Sequence, residues 1–142
     1  MLYEDQPTLT TAFLATRTFD VITETVSLWR VRGDGSSITQ GRHALDDLLD
    51  RVESKRLSTL LVQGADRPHL HDVWYHDILP VDMWEYFRSV PGCTDDYWTA
   101  LRSAVVEFWS PHTVPFEHTR IPLQQRLMGW LVSRADAQSS SG

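Results

Sequence analysis

The chain has 142 residues, 42% of them apolar and 23% charged, with a net charge of −6. That is enough for one domain with a real core, and too polar-balanced for wholesale disorder. The acidic balance argues against broad phosphate-backbone binding, which needs a basic surface. It suits a basic protein partner, and nucleic acid is not expected.

No window approaches 18 uninterrupted apolar residues, and the opening MLYEDQPTLT is acidic and polar. Neither a membrane span nor a secretory signal is expected, which makes a cytoplasmic protein the default. The lone Cys93 cannot form an internal disulfide or anchor a zinc site by itself. Twelve Arg stand against one Lys, Lys55. Arginine suits fixed ion pairs, and a genomic base bias gives the same skew.

In chain order, 7–16 fits either a short helix with Leu9, Ala12 and Phe13 on one stripe or an extended arm. Residues 19–32, FDVITETVSLWRVR, are dense in β-branched and aromatic side chains and predict a long strand. Gly33-Asp34-Gly35-Ser36-Ser37 breaks it. A helix is predicted over 42–54, with Leu45, Leu48, Leu49 and Val52 inward and Asp46, Asp47, Asp50 and Arg51 outward. The apolar run 57–63 reads as a second strand ending at Gly64, which gives a βαβ unit. A third strand is expected over 70–79, stopped by Pro80.

Asp82 and Glu85 then fit the start of a short helix carrying Met83, Trp84, Phe87 and Val90. Thr94 caps the next, with Asp95 and Asp96 in its first turn and Tyr97, Leu101, Ala104, Val105 and Phe108 on its stripe. The last helix, about 120–134, is expected to bury Leu123, Leu127, Trp130 and Leu131. The whole reads as a single α+β domain over 1–134. A small sheet of about three to four strands, including the βαβ unit, is packed by four or five helices, three of them C-terminal. The tail 135–142 has no large apolar residue and is expected to be disordered.

Chemistry clusters in His69-Leu70-His71-Asp72 and His76-Asp77. On a strand, His69 and His71 share a side and can hold a divalent metal together, with His76 opposite and Asp77 about 20 Å from His71. His112 or His118 is needed to complete such a site. An acid–base dyad of Asp72 with His71 or His76 is conceivable, but no Ser or Cys nucleophile is placed beside it. The histidine–hydrophobe–histidine triplet resembles the metal-binding motif of the HUH endonucleases. That resemblance implies a catalytic tyrosine on a downstream helix; Tyr97 is available, followed by Trp98, Thr99 and Ala100. The triplet is also similar to the cupin pattern, with Tyr75 and His76 where an acid is expected. Either resemblance implies a metal-dependent enzyme.

The weightier feature is aromatic. Six Trp, four Tyr and five Phe are many for this length, and the helix after Thr94 spreads them over more than one face. Trp and Tyr give large contact area at low entropic cost. Trp98 and Trp109, eleven residues apart, fall on nearly the same side of a continuous helix. The expectation is a small acidic interaction module (an inhibitor, immunity or accessory factor, or a complex subunit), with the rival that the 82–90 and 120–134 helices bury Trp98 and Trp109 as core. It would use no cofactor and bind a protein partner or a second copy through Trp84, Asp95, Asp96, Trp98, Arg102 and Trp109.

Overall fold

The computed structural model describes residues 3–28 and 44–135. Every regular element among the described residues is helical. The expected α+β sheet is therefore corrected to an all-helical architecture. In order the elements are α1 (Asp5–Ala15), α2 (Leu45–Gly64), α3 (Pro68–Val73), a π-helical turn (Trp74–Ile78), α4 (Leu79–Phe87), α5 (Asp95–Phe108), a 3₁₀ turn (Phe116–His118) and α6 (Leu123–Arg134). The chain divides into two compact units, Met1–Ala65 and Asp66–Gly142.

The second and third expected strands are helical, each for a physical reason. The described part of the first, 19–28, is irregular and exposed, and 29–32 lies outside the described residues, as do the 33–37 break and the tail beyond Ala135. The second strand is the last third of α2. Nothing between Asp46 and Gln63 interrupts a helix, because Leu, Lys, Arg and Gln are good helix formers and no Gly or Pro intervenes. A short apolar run does not distinguish strand from helix, and here the only breaker is Gly64 at its far end.

α2 is also rotated from the expected orientation. Leu48 and Val52 are buried, but so are Asp47 and Arg51, while Leu49 is exposed. Tyr3 accounts for the inversion. Its hydroxyl donates to Asp47 Oδ1 at 2.8 Å, its carbonyl accepts from Ser54 Oγ at 2.9 Å, and the Arg51 guanidinium lies 3.6 Å from its ring centre. α1 packs beside α2, where Thr10 Oγ1 approaches Ser58 Oγ at 3.4 Å. This seam is polar, and hydrogen bonds hold Tyr3, Asp47 and Ser54 within it.

The third expected strand is helix from Pro68 to Phe87. Tyr75, Leu79, Met83 and Phe87 recur every four residues straight through Pro80, and all are buried. Pro80 does not stop the chain here. It has no N–H, so neither Tyr75 O, five residues back, nor His76 O, four back, receives a helical bond from it. The turn widens to π geometry, with Leu79 N donating to Trp74 O. Trp109 Nε1 donates to Tyr75 O at 3.1 Å, and Arg120 N donates to His76 O at 2.8 Å. Both carbonyls are thereby satisfied from outside the helix. Asp82, expected to begin a helix, lies inside α4.

α5 forms as its sequence predicts. Thr94 Oγ1 accepts from Tyr97 N at 3.3 Å, and Tyr97, Leu101, Ala104, Val105 and Phe108 are buried. Tyr97 Oη donates to Tyr86 O at 3.3 Å, tying α5 to α4. Between them Gly92 takes φ +82°, a turn conformation that glycine adopts without strain.

α6 packs against α4, α5 and the 3₁₀ turn. Its orientation is the largest surprise. Leu123, Leu127 and Leu131 are 70%, 53% and 51% exposed, and the helix buries Gly129 and Val132 instead. The cause is Phe116. A Cβ on Gly129 would stand 2.1 Å from that ring, so only glycine lets the ring lie against the helix backbone. Phe116 is 2% exposed and packs edge-on against Trp109 at 4.7 Å and Phe87 at 5.8 Å. Seating one aromatic ring on the glycine side turns the leucines outward.

Candidate functional site: an aromatic groove and the exposed row of α6

The expected geometry of the histidine cluster depends on a strand, and this segment is helical. His69 and His71 lie on α3. Two residues apart on a helix they are separated by about 200°, so they do not share a side. His112 and His118 are exposed, the first in the loop after α5 and the second at the end of the 3₁₀ turn. Among the described residues, no three His, Cys, Asp or Glu side chains are grouped to hold a metal ion.

What this region builds instead is an ion-pair clamp. Arg120 Nε donates to Asp77 Oδ1 at 2.9 Å, Arg120 Nη2 reaches the second oxygen of the same carboxylate, and Nη2 also donates to Asp72 Oδ2 at 2.8 Å. Hydrogen bonding from Arg120 holds the Asp77 carboxyl below its ordinary range, and the two carboxylates push the guanidinium further up. His76 Nδ1 stands 3.8 Å from Asp72 Oδ1. A carboxylate already accepting from an arginine fork is a weak base, so the arrangement suits fixing a loop better than moving protons. The loop it fixes is the one that carries Phe116.

The six residues expected at a partner surface do not stay together. Trp109 is 4% exposed and belongs to the core, bonded to Tyr75 O and edge-on to Phe116. The angular spacing that put it beside Trp98 assumes a continuous helix. α5 ends at Phe108, and Trp109 is its C-cap with extended backbone at φ −117°, ψ 103°, so its side chain leaves the helical register. Arg102 is half-buried and its Nε donates to Ala135 O, which caps the end of α6. Trp84 is half-buried, edge-on to Phe87 at 6.4 Å. Asp95 and Asp96 are exposed in the first turn of α5.

Trp98 is half-buried because it lines a groove of about 440 Å³. The groove's walls include Phe87, Trp130, Leu131 and Arg134. Its walls are predominantly apolar, which suits a hydrophobic side chain better than a polar metabolite. Trp130 joins it to the row Leu123, Leu127 and Leu131, and the Arg134 guanidinium lies 5.7 Å from the Trp130 ring centre. The sequence does not disclose this row as a surface, because a leucine stripe on an amphipathic helix ordinarily faces the core. Gly129 was the available signal, an isolated glycine inside a helical pattern that marks close packing.

No helix among the described residues is long and apolar enough to cross a membrane. Comparison with protein-family models, with curated proteins and with solved structures found no match for the chain.

Proposed function

We propose that the chain is a protein-interaction module that engages its partner through the C-terminal unit. The observation that carries this is the exposed row Leu123, Leu127 and Leu131, continuous through Trp130 with the groove at Trp98. An apolar helix face of this kind costs solvation free energy unless something covers it, and contiguous apolar patches on soluble proteins mark interaction sites. Arg134, exposed over Trp130 at the groove, supplies a charged margin of the sort that selects a partner. Relative to the surface expected from sequence, Trp109 supports the site from within and the α6 row takes its place as apolar centre.

The test compares the full chain with its Leu127→Glu/Leu131→Glu variant, both tagged, in co-purification from the cells that express it. Both positions are exposed, so the variant is expected to melt as the parent does. Partners retained by the parent and lost by the variant support the proposal. The same partners on both proteins, or none on the parent, overturn it.

A further inference from the structure

The α6 face has a charge of its own, and that charge narrows the partner. From His118 to Ala135 the chain carries Arg120, Arg126 and Arg134 and no carboxylate, within a protein of net charge −6. Arg120 is taken up by Asp72 and Asp77. Arg126 and Arg134 remain on α6, the first with Nη1 donating to Thr119 O at 3.3 Å and the second exposed over Trp130. Resting on the interaction role proposed above, we infer that the α6 face takes an amphipathic helix from another protein, one whose apolar stripe is flanked by Asp and Glu.

Three observations lead there. Leucines at i, i+4 and i+8 form a ridge about 12 Å long, the spacing that interdigitates with the ridge of a second helix. The groove at the end of the ridge, walled by Trp98, Trp130 and Leu131, accepts one large apolar side chain from the visitor. The cations then choose among visitors. Two copies of this face brought together would oppose four arginines with no carboxylate on either helix, and like charges across an interface are costly. A flank of acids gains from the same arginines, and a flank of lysines is repelled. Residues 136–142, DAQSSSG, offer no large apolar side chain for the groove.

The probe is a pair of synthetic amphipathic peptides with identical leucine stripes, one flanked by Glu and the other by Lys, titrated into the full chain and followed by tryptophan fluorescence. The acidic peptide is expected to bind tighter than its basic twin by about tenfold or more at low salt, with the gap closing as salt rises. Arg134→Glu, at an exposed position, should erase or reverse the preference, and Leu127→Glu/Leu131→Glu should abolish binding of both peptides. Equal binding of the twins, tighter binding of the basic one, or a preference unmoved by Arg134→Glu overturns the inference. Sedimentation of the full chain as a dimer that Leu127→Glu/Leu131→Glu dissociates also overturns it, by making a second copy the occupant. If only these results fail while the co-purified partners still depend on the leucines, the interaction role stands and the partner's chemistry is wrong.

Discussion

The two sides of α6 carry opposite burdens, and the ranking of their residues by hydrophobicity is reversed. Gly129 and Val132 face the core, while Leu123, Leu127 and Leu131 face out. The buried side is valuable for what it lacks, since the missing Cβ of Gly129 makes room for Phe116. Burial of one phenylalanine ring against Trp109 and Phe87 outweighs burial of leucines that would otherwise fill the same space. A helix thus orients by the best-fitting complement and not by its most apolar stripe, because packing at crystal-like density penalises any misfit.

Gly129→Ala opposes this packing most directly. A methyl in the path of a ring buried on all sides forces Phe116 out or the helix away, and we expect a loss of about 3 kcal/mol or more. Denaturant unfolding measures it; a loss no greater than that of a surface substitution would show that Phe116 does not sit there.

Trp109→Phe probes the support beneath the ring. It keeps most of the aromatic area but removes the donor to Tyr75 O, leaving a buried carbonyl without its side-chain bond, for a cost of about 1–3 kcal/mol. Because Pro80 creates the vacancy at that carbonyl, Pro80→Ala supplies an N–H of its own. In a double-mutant cycle the Trp109→Phe penalty should shrink in the Pro80→Ala background. Strict additivity of the two changes would disconnect the proline from the tryptophan.

A smaller effect comes from the clamp that anchors the Phe116 loop. The Asp77 carboxyl is held below its ordinary value of 3.8 by its hydrogen bonds to Arg120. A depressed carboxylate contributes stability that is fully present above the unfolded value and is lost as pH falls through the folded one. Stability should therefore decline below about pH 4 with a slope that Arg120→Leu removes. All three side chains are 40–51% exposed, so salt should weaken the contribution. An unchanged acid limb in Arg120→Leu would leave the clamp without energetic weight.

The smallest effect is expected on the outer side. Leu127→Ala should change stability by no more than about 0.5 kcal/mol, as surface substitutions do. A loss of the size seen for buried leucines would mean that the row is core after all.

Legibility from sequence follows the same physics. α5 was readable up to Phe108, because the Thr94 cap, the acidic first turn and the Tyr97-to-Phe108 stripe all agree, but its end before Trp109 was not. The first half of α2 was readable as a helix, but not the side it buries, since Tyr3, 44 residues upstream of Asp47, determines that. The run 57–63 was ambiguous by nature, and the sheet inferred from it fell with it. Pro80 was misread because a helix-interior proline is tolerable only when distant donors rescue the carbonyls, here Trp109 and Arg120. At the candidate site Trp98 was legible as an aromatic lying off the buried stripe of its helix. The leucine row and Trp130 were not, because only the position of Phe116 distinguishes an outward stripe from an inward one.

The orientation of α6 can be measured directly through single cysteines at 127 and 132, made as Leu127→Cys and Val132→Cys with Cys93 replaced by Ser. Leu127 is 53% exposed and Val132 is 5% exposed. Under native conditions a thiol at 127 should be alkylated nearly as fast as in denaturant, and a thiol at 132 should be protected by orders of magnitude. Protection at 127 with rapid labelling at 132 would contradict the account, and the docking face with it.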